Sequence, residues 1–600
     1  MWQARYVSDE NYLMHCGRCV RLARESFGDV ASGFDDNDPG AGGVSQQRTS
    51  VLDLYSALDR IGEESEMSQR ERAFFIGGLV VLTAARIVAA AVLPLADDEA
   101  YYWTWSRHLA WGYPDHPPMI AAIIRLTTSL VGHTPLGVRL GSIVFALGTS
   151  LVLYDLGRQM FGPLPGLVAA LTFQVIPLFA LGAGFASPDG PMGFFWILTL
   201  WYLWRALHQD RMRDWTATGV ALGLGIASKL PAIILGLSIG GFLLASPQGR
   251  ARLGHAKFYA LIAACALTIA PVVWWLVVHR DVVLLRAHQS QPWVRLPHPV
   301  LSALAFFGAQ FLYYGPMTFP LLLAALRDSL HRARADERFA LLSWGTLPLL
   351  GLTWAGSLSG LPKPHWVAPS YIVALIPAAA LWVAKDPWGT RWRIPLAAFG
   401  INALVIGTAF LALFSATSPA AVAVRGWDEV ATRLTDLLEQ TPATPGVFVL
   451  TTEYQTASQL AFHLQERYLV TTIYQDTAFA ARTDPRELTD WNAVFVNNLA
   501  GGTATAIQPL FKRVEPLPPI EVRIKGQVVQ RLLVSRGYGF RGFTTSNEGR
   551  GGSTTDPAMR TGWQMLGFTG LDRATWETTL MAIRPGNPRK EAVEDVLARR

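Results

Sequence analysis

Three acidic side chains in a row, Asp97-Asp98-Glu99, are followed at once by Tyr101, Tyr102, Trp103 and Trp105. Carboxylates next to low-dielectric lipid hold their protons more tightly than in water, which suits acid–base work. The same cluster could hold a divalent cation, since hard cations favour carboxylate oxygens, or merely end a helix in solvent. Asp115 and His116 precede Pro117-Pro118, as turn residues, as a cation for an anionic group, or as metal ligands. Asp189, in Ser187-Pro188-Asp189, either caps a following helix or joins Asp98 in a polar cavity. Lys229, in Ser228-Lys229-Leu230-Pro231, lies between two apolar stretches. A charge at membrane depth is costly and marks a functional site by default, and a lysine there suits a phosphate as a compact point charge. His288, Lys363 and His365 are further basic or polar residues in predicted outer loops. Arg86, Arg125 and Arg139 lie near apolar segments and could face the cavity or snorkel to headgroups.

The elements that must position these residues are read from composition first. Of 600 residues, 51% are hydrophobic and 16% charged, against about 25% charged in soluble domains. With a mean hydropathy of +0.25, this excludes a disordered chain and favours a polytopic α-helical membrane protein. The net charge of +6 is then assigned to cytoplasmic loops rather than a nucleic-acid surface. Cys16, Cys19 and Cys265 are too few for a disulfide framework, and the lone Cys16–Cys19 pair is a weak metal signal.

Apolar segments that could cross a hydrocarbon core of about 30 Å are read at 74–95, 136–157, 164–182, 190–207, 215–228, 230–246, 257–278, 300–326, 339–356, 366–384 and 394–415. Basic residues cluster after the even segments (Arg158, Arg205, Arg250, Arg327, Lys385 and their neighbours), and carboxylates after the odd ones. This places the N-terminus in the cytoplasm and the loop 96–135 outside. Two interfacial helices are expected in that loop, lying along the outer leaflet. Residues 1–70 read as a disordered cytoplasmic arm and 71–416 as the membrane domain. Residues 417–540 read as an external α/β domain and 541–600 as a poorly ordered tail. Within 417–540 the pattern predicts a helix over 427–440, a strand over 447–450, a helix over 455–465 and strands over 468–474 and 493–496. A hairpin over 521–534, turning at Lys525-Gly526, completes it. No phosphate-binding loop, dinucleotide fingerprint, GxSxG or HExxH is present.

Four motifs occur in order: Asp98-Glu99-x-Tyr101-Tyr102-x-x-Trp105-Ser106, Gly112-Tyr113-x-Asp115-His116-Pro117-Pro118, Ser187-Pro188-Asp189 and Ser228-Lys229-x-Pro231. Together with Gly426-Trp427-Asp428-Glu429 and Tyr454-Gln455-x-Ala457-Ser458, they resemble the bacterial branch of glycosyltransferase family 39. That branch is related to the protein O-mannosyltransferases and the lipid A aminoarabinose transferases. The resemblance implies a GT-C fold, a polyprenyl-phosphate-linked sugar donor and a lipid, glycan or protein acceptor on the outer face of the inner membrane. It implies Asp98 as general base or acceptor-orienting group, with Glu99 as its alternative and Asp189 as the second acidic position. Lys229 corresponds to a lysine that meets the lipid phosphate, and Tyr101, Tyr102, His116, Lys363 and His365 are expected to bind substrate. His116 stands where the aminoarabinose transferases carry lysine. Those relatives can hold a metal, for which Asp115 and His288 are the candidates. A lipid or glycan transporter and a non-catalytic envelope-assembly protein are the competing readings.

Overall fold

The computed structural model describes residues 69–280, 298–360, 362–385, 393–414, 424–473, 479, 485–498, 504–524 and 526–542. The Cys16–Cys19 pair, His288 and Lys525 lie outside the described residues, as do nearly all of the expected arm and tail.

All eleven apolar segments are helical. α1 (Gln69–Val92) leads through a short extended stretch to α2 (Asp97–Arg107) and α3 (Met119–Val131), the two helices expected in the first loop. α4 (Pro135–Phe161) starts on a Thr134 cap whose hydroxyl accepts from the Gly137 amide. Segment 164–182 is broken: Pro177 cannot continue a helix, so α5 (Pro163–Val175) ends at an extended Ile176 and α6 (Pro177–Gly182) begins. α7 (Asp189–Gln209) and α8 (Met212–Ser228) follow. The chain then breaks at Lys229 into a 3-10 turn, Leu230–Ala232, before α9 (Ile233–Ala245) and α10 (Pro247–Leu253). α11 (Ala256–Val278) packs along α8, where a methyl group on Gly219 would come within 2.1 Å of the Leu261 carbonyl oxygen. The expected single span 300–326 is instead two helices, α12 (Pro299–Tyr314) and α13 (Thr318–Arg332), bent by 108° at Gly315, whose φ is +90°. α14 (Glu337–Gly356), α15 (Ala368–Lys385) and α16 (Arg393–Phe414) complete the helical part. Among the described residues, 5 helices are long and apolar enough to cross a membrane, or up to 7 if each bent pair is one span.

The remainder is a mixed five-stranded sheet in the order β2-β1-β3-β5-β4. β1 (Val447–Thr451) pairs in parallel with β2 (Val470–Thr472) and β3 (Asn492–Asn498), in register Val449↔Val470 and Val449↔Val494. β5 (Gln527–Phe540) runs antiparallel to β3 and to β4 (Phe511–Ile524), turning at Gly526 with φ +81°. α17 (Trp427–Glu439) buries Trp427, Val430, Ala431, Leu434 and Leu438, an i, i+3, i+4 stripe. α18 (Tyr454–His463) crosses from β1 to β2.

The apolar core of this sheet continues without a break into the first loop, joining Val449, Leu460, Phe462 and Val494 to Leu95, Tyr101, Trp103 and Ile124. For that reason α2 does not lie on an open leaflet surface as expected: every residue from Glu99 to Ser106 is buried. Leu126, Leu130 and Val131 of α3 stay exposed.

Candidate functional site

The site starts with the first turn of α2. Asp97, Asp98 and Glu99 occupy it, where the partial positive charge of the helix N-terminus favours carboxylates. Their environments separate their roles. Glu99 is fully buried and ion-paired to Arg139 of α4 at 2.5 and 2.7 Å. It also accepts from its own helix start at the Ala96 amide (3.0 Å) and from the Ala186 amide (2.9 Å). Arg139 further donates to the carbonyls of Ala90, Leu93 and Pro94. The expected alternative base is therefore fully engaged, and it bolts α1, α2, α4 and the loop before α7 together. Asp97 faces the other way, accepting from Gln459 of α18 at 2.9 Å.

Asp98 lines the cavity. Its contact outside the first loop is the Tyr454 hydroxyl of α18, which donates at 3.4 Å. Burial pushes the Asp98 carboxyl above the ordinary carboxylate range; Lys363 and Tyr454 pull it back, and Asp115 and Glu99 add to the rise. Tyr101 donates to Asp115 at 3.1 Å and packs edge-on against Trp105 and at a tilt against Tyr454. Tyr102 lines the cavity, and burial pushes its hydroxyl well above the usual phenol range, so it is a neutral donor. His116 also lines the cavity. Burial, aided by the Lys229 charge, pushes its imidazole down to about 4. That shift favours the uncharged imidazole at neutral pH.

Lys229, the C-cap of α8, is nine-tenths buried and lies 2.8 and 2.9 Å from the two oxygens of Asp189. Asp189 caps no helix through its side chain; it is the first residue of α7, behind Pro188. His365 approaches Asp189 at 3.9 Å. The two charges thus neutralise each other in this structure. Lys363 is exposed on the cavity lining, and its side chain makes no hydrogen bond or ion pair among the described residues.

These side chains surround the polar end of a cavity of about 1590 Å³. The structure brings together Asp98, Glu99, Tyr102, His116, Asp189, Lys229, Lys363 and His365 on its lining, with Tyr101 and Asp115 just behind. The rest of the lining is mostly apolar, supplied by α1, α5, α6 and α16, with Arg86 and Gln174 among it. Among the described residues no three His, Cys, Asp or Glu side chains come together as a metal site. Sequence reasoning missed Tyr454 and Gln459 as groups that reach the acidic turn, and Arg139 as the partner of Glu99. The motif at 454–458 had singled out the neighbourhood of the first two without their target.

Residues 115–275 match the family model described as dolichyl-phosphate-mannose-protein mannosyltransferase. The match includes His116, Asp189 and Lys229. The chain is 29% identical over 310 residues to the lipid A galacturonosyltransferase RgtD of Rhizobium johnstonii, covering 51% of this chain and 64% of that protein. It is 32% identical over 143 residues to an undecaprenyl phosphate-α-4-amino-4-deoxy-L-arabinose arabinosyl transferase of Pseudomonas savastanoi, covering 22% of this chain and 27% of that one. The solved structure of ArnT from Cupriavidus metallidurans bound to undecaprenyl phosphate superposes with a TM-score of 0.54 at 16% identity, over 78% of this chain and 98% of ArnT. Its apo structure gives the same TM-score. The chain is accordingly a helical membrane protein with the GT-C fold of ArnT, and it resembles the glycosyltransferases of the lipid A kind.

Proposed function

We propose that this protein transfers a sugar from a polyprenyl-phosphate carrier to a lipid A-like acceptor at the outer face of the inner membrane. The observation that carries the reading is the shape and polarity of the cavity. A volume of about 1590 Å³ exceeds the range of about 300–1,000 Å³ of ordinary small-molecule pockets. Its largely apolar walls suit a lipid tail, and the polar residues gathered around Asp98 and Asp189 suit a sugar. A transporter would place its polar residues near the midplane in broken, repeated helices; here Asp98, Asp189 and Lys229 gather at helix ends.

The reaction follows from the residues present. An acceptor oxygen attacks the anomeric carbon, and the bond from that carbon to the phosphate oxygen breaks. The phosphate leaves on its lipid, carrying the electron pair. Where the acceptor is a hydroxyl, its proton passes to Asp98, whose raised affinity for protons suits a general base. Where the acceptor is an ionised phosphate, Asp98 orients it. Glu99 and Arg139 position Asp98, and the Asp189–Lys229 pair shapes the sugar pocket with His116 and Tyr102. Lys363, exposed on the cavity lining, is a cation that favours the ionised form of Asp98. The apolar tail, bound far from the reacting atoms, sets their alignment.

Mass spectrometry of envelope lipids from cells with the protein, without it, and with Asp98→Asn tests this reading. A sugar modification that disappears in both the deletion and the variant supports it and identifies sugar and acceptor together. An unaltered lipid and glycan profile in the deletion overturns it.

A further inference from the structure

Arg86 sits on a helix apolar enough to cross the membrane, and Val92, where α1 ends, lies about 9 Å further along the axis at 1.5 Å per residue. It is 9% exposed and lines the cavity among Leu82, Ala89, Phe173 and Leu178. Its acceptors are all neutral. Nε donates to the Ala180 carbonyl at 3.4 Å, one Nη to the Gln174 side-chain oxygen, and the other Nη to the Gln174 carbonyl at 3.1 Å. The break at Pro177 frees the Gln174 carbonyl, and the end of α6 at Gly182 frees that of Ala180. Gln174 is itself aimed: its amide nitrogen donates to Ser150 on α4, so its oxygen faces Arg86. No carboxylate pairs with Arg86 among the described residues. Three of the five guanidinium N–H groups are used, and one on each Nη is left.

A held but unneutralised guanidinium among apolar walls is costly unless an anion joins it. Around this cavity Arg139 is neutralised by Glu99, and Lys229 by Asp189. The remaining cations on its lining are the exposed Lys363 and the buried Arg86. We propose that Arg86 forms a phosphate subsite within the cavity, taking the phosphate of the polyprenyl carrier through its two remaining N–H groups. The tail then continues along the apolar wall of α1 and α16. This rests on the transferase reading and adds to it the residue that receives the departing phosphate.

The test measures binding of polyprenyl phosphate, the uncharged polyprenol of the same length, and phosphatidic acid to the purified full-length protein in detergent. Wild type is expected to prefer polyprenyl phosphate to both. In Arg86→Gln that preference over polyprenol falls about tenfold, the loss of one good charged contact, while polyprenol affinity is kept. Arg86→Lys, which keeps the charge without the two-pronged geometry, loses part of the preference and serves if the glutamine variant does not fold. A preference unchanged in both variants overturns the subsite and leaves the transferase reading intact. An equal loss for polyprenol and polyprenyl phosphate also overturns it, assigning Arg86 to packing. Equal binding of phosphatidic acid would make the subsite one for bilayer phosphates and overturn its assignment to the carrier. Wild type without any preference for phosphate overturns the carrier reading along with it.

Discussion

At the residue scale the three consecutive carboxylates show how one helical turn separates functions by direction. Glu99 points into the protein and is consumed by Arg139; Asp97 points to α18; Asp98 points to the cavity. Removing one partner of a buried pair leaves the other charge uncompensated, so Glu99→Ala or Arg139→Ala should cost about 3–5 kcal/mol. Thermal unfolding in detergent reads this as a large loss of folded protein, and near-wild-type stability would refute the bolt. Asp98 should show itself in the pH profile. Its carboxyl is raised by burial, so a base at this position is lost to protonation at a higher pH than the usual carboxylate value of about 3.9. Lys363→Ala removes a cation that favours the ionised form, which moves the acid limb of the rate profile to still higher pH. A limb that moves down or stays in place contradicts the assignment. Asp98, Asp189 and Lys229 were legible because acidic and basic residues beside apolar runs stand out. Their pairing was not, since Lys229 and Asp189 meet only through the packing of α7 and α8.

At the element scale the helices themselves were plain from apolar runs, and their breaks were partly so. Pro177 explains the end of α5, and Gly315-Pro316 is a comparable breaker for the 108° bend, passed over because the residues around it are apolar. The burial of α2 was hidden for a different reason. Its Tyr and Trp residues suit a membrane interface, yet they serve a core shared with a sheet more than 300 residues later in the chain. Close helix pairs depend on small residues. Gly219→Val should push α11 off α8, because even a methyl carbon would overlap the Leu261 carbonyl. The expected outcome is a lower unfolding temperature with wild-type pH dependence of whatever activity remains. An unchanged unfolding temperature would mean that the two helices separate without cost.

At the scale of the whole molecule the sheet and the membrane helices form one body around the acidic turn. α18 supplies Tyr454 to Asp98 and Gln459 to Asp97 and the Leu95 carbonyl, and Arg107 pairs with Glu466 at 2.8 Å. The part of the chain that carries the sheet therefore touches the candidate catalytic group directly. Tyr454→Phe removes a hydrogen bond that favours ionised Asp98, so it should shift the acid limb upward, as Lys363→Ala does, with little change in stability. A Tyr454→Phe profile identical to wild type would show that the sheet holds the loop without tuning its chemistry. The measurement that bears most directly on the central claim is transfer by purified protein in liposomes. It supplies polyprenyl-phosphate-linked galacturonate or aminoarabinose and lipid A, and compares wild type with Asp98→Asn. Wild type should glycosylate lipid A with one of these donors and release polyprenyl phosphate. Asp98→Asn, folded and inserted, should lose at least about 100-fold in rate, within the range of about 10²–10⁴ for a positioned general base. Transfer by Asp98→Asn at the wild-type rate would contradict the account.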